Sequence, residues 1–105
     1  SYIADARGGR MRRVKYVRHA KLRLRERLIE EDEVKRIIES SFAKYYDMLT
    51  GHLIAIGARI KREGHSLIIL YEGDDVVTVI SVIDTSKADE IASRKERVGR
   101  WVKVG

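Results

Sequence analysis

Apolar positions along this chain follow a helical period first and a strand period afterwards. From His19 to Leu28, Ala20, Leu24 and Leu28 recur at four-residue spacing, which places them on one face of an α-helix. Glu30 to Glu33 form an acidic run suited to the positive end of a second helix. That helix extends to about Ser40, with Val34, Ile37 and Ile38 as its apolar face. The period then changes to two. Lys44–Leu49 is a first strand ending at Thr50-Gly51. His52–Arg62 alternates, with Ile54, Ile56, Ala58 and Ile60 facing one way and Arg59 and Lys61 the other. Glu63-Gly64 marks a hairpin turn, His65–Tyr71 a third strand, Glu72-Gly73-Asp74 a second turn and Asp75–Ile83 a fourth strand. The last two strands are apolar on both faces and are expected mid-sheet under cover. Their short turns allow only antiparallel neighbours.

Asp84, Thr85 and Ser86 offer N-caps for a helix over Lys87–Val98. Ser86 and Asp89 form a capping-box-like pair, and Gly99 stands at the C-terminal end. Arg100–Val104 has the propensity of a terminal strand, and Val14, Tyr16 and Val17 suggest a short extended segment near the start. Ser1–Arg10 has no apolar period and contains Arg7-Gly8-Gly9-Arg10. Residues 1–12 are therefore expected as a flexible basic arm on a single domain of residues 13–105. Met11 is a candidate start residue, which leaves the origin of residues 1–10 open. The expected fold class is α+β: two N-terminal helices followed by a four-stranded antiparallel meander and a C-terminal helix.

Composition narrows the function classes. With 105 residues, 44% of them apolar, the chain can build one modest core. No apolar run reaches ~18 residues and no leader pattern is present, so a membrane is not expected as partner and the location is expected to be cytoplasmic. Cysteine is absent, which removes disulfides and thiolate chemistry. Asn, Gln and Pro are absent too, while 36% of residues are charged. The loss of amides with the gain of charge points to a thermophile. The three histidines lack metal-ligand spacing, and no nucleotide-cradling or nucleophile-elbow motif occurs. Neither metal nor cofactor is expected. The net charge is +6, with a pI near 9.8, and such a surplus favours polyanions.

His19, Arg23 and Arg27 recur every four residues beside the apolar stripe. On a helix they form one ridge. An imidazole can give or take a proton near neutral pH, and guanidinium forks can hold a phosphate. A solvated basic face has the same pattern. Arg7, Arg10, Arg12, Arg13, Lys15 and Arg18 form a further set able to contact phosphates. His52 and His65 open strands beside turn glycines and are expected as exposed loop-edge groups. Tyr45 and Tyr46 could stack on bases but are expected half-buried. Asp47 is expected to face solvent, Trp101 to pack, and Arg94–Arg97 to serve the negative end of the last helix.

The stretch Tyr16–Asp84 resembles the RelE/ParE-like toxin superfamily, closest to a branch of unassigned function near the BrnT toxins. The resemblance rests on "HAKLRLRERLIEEDEV" (His19–Val34) and the strand "VISVID" (Val79–Asp84). It covers about two thirds of the chain. Leu28 and Ser81 stand where relatives usually carry glycine and often carry threonine. The resemblance implies a small α+β fold and metal-independent RNA cleavage, in which a 2′-hydroxyl attacks the adjacent phosphate. By position, His19 would be the acid or base and Arg23 and Arg27 phosphate clamps. Arg59 would be a further cation and Ser81 a hydroxyl lining the site. It also implies a small acidic antitoxin as partner. Beside this stand two alternatives: a non-catalytic basic module that binds nucleic acid, and a protein-interaction domain whose groove holds an acidic antitoxin-like helix. RNA versus DNA, and the oligomeric state, are left open.

Overall fold

A computed structural model of the protein describes residues 2–4, 11–73 and 75–105. Its elements are β1 (Tyr2–Ala4), β2 (Met11–Tyr16), α1 (Arg18–Glu26), α2 (Glu31–Ser40), β3 (Ala43–Asp47), β4 (Leu53–Ala58), β5 (Ser66–Glu72), β6 (Val76–Thr85), α3 (Ala88–Arg97) and β7 (Trp101–Lys103). Among the described residues the strands form one seven-stranded sheet in the order β1-β2-β6-β5-β4-β3-β7. The β2–β6 pair is parallel and the other pairs are antiparallel.

This overturns the expected fold of two N-terminal helices, a four-stranded antiparallel meander and a C-terminal helix. Consecutive strands β3–β6 occupy only the middle of a mixed sheet. β2 docks in parallel beside β6 and carries β1 on its other edge, while β7 closes against β3. The extra pairings join distant segments, Arg13 with Val76 and Asp47 with Trp101. β1, three residues long, is too short for alternation to announce it, whereas β7 falls within the expected terminal strand Arg100–Val104. Of the arm expected over residues 1–12, Tyr2–Ala4 and Met11–Arg12 are strand. Arg7 and Arg10 lie outside the described residues, as does Asp74 of the expected second turn.

Alternation assigns each strand residue to one of two cores. On one face Leu67, Ile69 and Tyr71 of β5, with Val77, Val79 and Val82 of β6, pack under α1 and α2. On the other, Ile54, Ile56, Ile68, Tyr45 and Trp101 pack against Ala88 and Ala92 of α3. A bulge in the β5–β6 ladder makes this possible: Leu70 pairs with Ser81 and Tyr71 with Val79, so Ile80 is extra and the inward parity of β6 changes. Gly57 permits the closest approach of α2. A Cβ there would lie 2.7 Å from Cγ1 of Ile37.

Two local expectations reverse. α1 buries Ala20 and Leu24, but Leu28 is 85% exposed and Ile29 takes its place in the core. The helix ends early because Leu28 adopts φ 54°, a left-handed conformation that costs a non-glycine residue about 1–2 kcal/mol. β4 ends at Ala58 rather than Arg62, so Ile60 is 76% exposed and Arg59 is buried. The N-cap of α3 is Lys87, without a side-chain cap. Thr85 Oγ1 instead accepts the Lys87 N–H at 3.0 Å. Among the described residues no helix is long and apolar enough to cross a membrane.

Candidate nucleic-acid interface

The charge surplus sits in one stretch. Residues 11–27 hold eight Lys and Arg against one Glu, whereas the rest of the chain holds fourteen against fifteen acids. This stretch comprises β2 and α1. Arg13, Lys15, Arg18, Lys21, Arg23, Arg25 and Arg27 form no side-chain hydrogen bond or ion pair with any described residue. Elsewhere Lys35, Arg59, Lys61, Arg62 and Arg100 each meet a carboxylate.

Strand alternation sorts the cations of β2. Val14 is buried under the helices, so Arg12 shares that inner side and Arg13 and Lys15 point to the other. Arg13 and Lys15 are exposed while Arg12 is half-buried. β1 pairs only with Met11–Arg13, which leaves the Val14–Tyr16 edge of β2 uncovered by any described strand. At that edge Arg13, Lys15 and Tyr16 join Lys21 of α1 and Glu31 of α2 around a concavity of about 300 Å³. Three cations face one carboxylate there. Burial, then Glu31 and Asp32, push the Tyr16 phenol well above its usual pKa, so Tyr16 stays protonated and adds no negative charge.

Of the five residues expected to form a catalytic pocket, His19, Arg23 and Arg27 keep their common ridge at α1, while Ser81 and Arg59 do not join them in an open site. His19 and Arg27 are exposed and Arg23 is half-buried, all on or just beyond α1. Ser81 lies opposite Leu70, on the sheet face turned away from α1 and α2, because the bulge reverses parity. Arg59 is enclosed. Its Nη1 donates to Asp84 Oδ2 at 2.5 Å, its Nη2 to the Leu28 carbonyl at 3.1 Å, and Glu33 lies 3.2 Å away. Arg62 and His65 complete this network on Asp84, at 2.9 and 2.5 Å. Burial raises the Asp84 pKa, but hydrogen bonds from His65 and Arg59 outweigh it and hold the carboxyl below its ordinary value. The network ties the α1–α2 turn, the β4–β5 hairpin and the end of β6 together. Its members had no local sequence signal: His65 read as a loop-edge group, and Asp84 as a cap.

Asp47 also departs from its expected solvent-facing place. It is buried, accepting N–H bonds from Leu49 and Thr50 at 2.9 and 3.1 Å and from Arg100 Nε at 2.8 Å. Those bonds, Arg100 foremost, hold its carboxyl far below the usual range. Trp101 packs on Tyr45 with ring centroids 5.5 Å apart. Tyr45 is buried and Tyr46 exposed. His52 stands 3.5 Å from Glu72. Among the described residues no three His, Asp or Glu side chains gather as a metal ion would require.

The sequence singles out neither Lys21 nor Tyr2. Lys21 lies off the His19–Arg27 ridge, and Tyr2 lies in the expected arm. Fold and charge together define a small domain of three helices on a mixed, mostly antiparallel sheet, with a cationic edge among the described residues. No family model, curated protein or solved structure matches the chain.

Proposed function

We propose that this protein binds nucleic acid through the phosphate backbone, with Arg13, Lys15 and Lys21 as the central contacts and the α1 arginines around them. The observation that carries this reading is the concavity where those three cations from two elements converge without a described acidic partner of their own. Lysine and arginine held so are available to displace counterions from a polyanion. Binding is favoured over metal-independent RNA cleavage because Arg59 is already committed to Asp84 and Glu33 and Ser81 faces away. A partner of the acidic antitoxin kind would compete for the same cations.

The test is equilibrium binding of a labelled oligonucleotide across a salt series. Log affinity should fall against log salt with a slope of about −2 to −3, as expected for some three neutralised phosphates. Combined Arg13→Ala, Lys15→Ala and Lys21→Ala should weaken binding at least about ten-fold and flatten that slope. Arg94→Ala on α3 should leave both unchanged. Salt-insensitive binding, or an unaffected triple variant, would discard the reading. RNA shortened in EDTA by the wild type but not by His19→Ala would instead restore the nuclease.

A further inference from the structure

We infer that the ligand is a single strand, held on an open sheet face where a base stacks on Tyr2; this rests on the nucleic-acid reading above. The outer face of the sheet is unevenly covered. α3 and its core partners lie over β3, β4, β5 and β7. Over β1 and β2 that face carries no described helix.

The register shows what this face displays. Tyr2 pairs directly with Arg13, and Arg13 and Lys15 stand level with Val76 and Thr78 of β6. Paired residues share a face, with Cβ atoms roughly 4.5–5.5 Å apart in an antiparallel pair. Ile3, the neighbour of Tyr2, is buried on the inner side, which sends the Tyr2 ring outward beside the Arg13 guanidinium. Tyr2 is 57% exposed, Met11 59% and Val76 37%. Such strand positions carry polar residues when they only face water. Here they hold an aromatic ring, two apolar side chains, two cations and the Thr78 hydroxyl.

Each component has a use on a single strand. An unstacked base offers a flat face to a tyrosine ring, and stacking is indifferent to sequence. Arg13 and Lys15 lie two positions apart on one strand, about 6.6 Å, so they can hold the backbone beside the stacked base. Duplex bases are already stacked on one another and offer the ring nothing. Arg13 and Lys15 also line the concavity with Lys21, so the stacking platform and the phosphate grip are continuous. Two described acidic residues border the patch: Glu72 pairs with Thr78 and holds its carboxylate 3.5 Å from His52, and Asp75 precedes Val76.

The experiment compares the full chain against three probes at one salt concentration: a twelve-residue oligouridylate, a twelve-residue oligothymidylate and a twelve-base-pair DNA duplex. Both single strands should bind at least about five-fold more tightly than the duplex. Tyr2→Ala should weaken single-strand binding about ten-fold, while duplex binding stays unchanged. Tyr2→Phe should retain wild-type affinity within about two-fold, because the ring is kept. Tyr2→Leu, which keeps apolar bulk on the strand but has no ring, should lose as much as Tyr2→Ala. Equal binding of strand and duplex, or single-strand affinity indifferent to Tyr2→Leu, would overturn the stacking site while leaving the phosphate grip standing. Salt-sensitive binding of none of the three probes would remove both. A uridylate preference over thymidylate would assign RNA as the source of the strand, and parity would assign either.

Discussion

Arg59 and Ile60 are neighbours in the chain and opposites in the structure. Alternation assigns the isoleucine inward and the arginine outward, but β4 stops at Ala58 and the arginine turns in. Asp84, Glu33 and the Leu28 carbonyl supply it with three acceptor groups. A guanidinium suits such a place because its planar fork can satisfy several acceptors at once. Replacing it strips the largely buried Glu33 of its cation and leaves the buried Asp84 with only Arg62 and His65. Arg59→Met should therefore cost about 3–5 kcal/mol in urea unfolding, and a loss under about 1 kcal/mol would mean the network is not structural. The same carboxylates set the acid response. Asp84 and Asp47 have folded pKa values below the ordinary 3.8. Their contribution is fully present above that value and is lost as pH falls through it toward their depressed values. Stability should be level in these two groups above about pH 5 and decline steeply below pH 4. In Asp84→Asn the decline should be shallower; an identical slope would show that Asp84 is not linked to folding.

At the scale of elements, β2 converts a run of cations into a sorted surface. Arg12 and Arg13 are adjacent in sequence and lie on opposite sides of the sheet. α1 presents its remaining basic residues because Ala20 and Leu24 alone are buried. The α2–β4 contact depends on Gly57, where there is no space for a methyl group between strand and Ile37. Gly57→Ala should destabilise the fold by about 1–3 kcal/mol through overpacking. Ile37→Ala, which removes the Cγ1, Cγ2 and Cδ1 atoms that the new methyl group would meet, should cost less in the Gly57→Ala chain than in the wild type. Thermal melts of the single and double variants measure both effects; additive losses would place the clash elsewhere.

The whole molecule depends on its first strand more than an arm would. Ile3 is 1% exposed within the core under α1 and α2, and β1 covers one edge of β2. Removing residues 1–10 should cost about 1.5–3 kcal/mol from Ile3 alone, visible as a lowered urea midpoint. An unchanged midpoint would mean β1 contributes nothing to folding. The same deletion removes Tyr2, so single-strand affinity should fall with it even where the protein is still folded. Charge is partitioned at this scale too: one basic region on an otherwise near-neutral chain, which suits oriented capture of a polyanion.

Local pattern sufficed for the three helices and for β3–β6, because helix period, strand alternation and turn glycines act over a few residues. It also located the cations, since charge is additive and readable wherever it stands. It could not assign partners or faces. The pairing of β2 beside β6 joins residues that share no local signal, and one bulge moves Ser81 to the opposite side from α1. Burial of Arg59 required Asp84, Glu33 and the Leu28 carbonyl to arrive from three other segments. Those outcomes depend on long-range packing, where one extra residue in a ladder exchanges inside for outside. Sequence alone thus determined most of the elements, β1 excepted, and how much charge they carry. Tertiary structure decided which residues share the cationic concavity and the open sheet face, because that sharing exists only after distant strands pair.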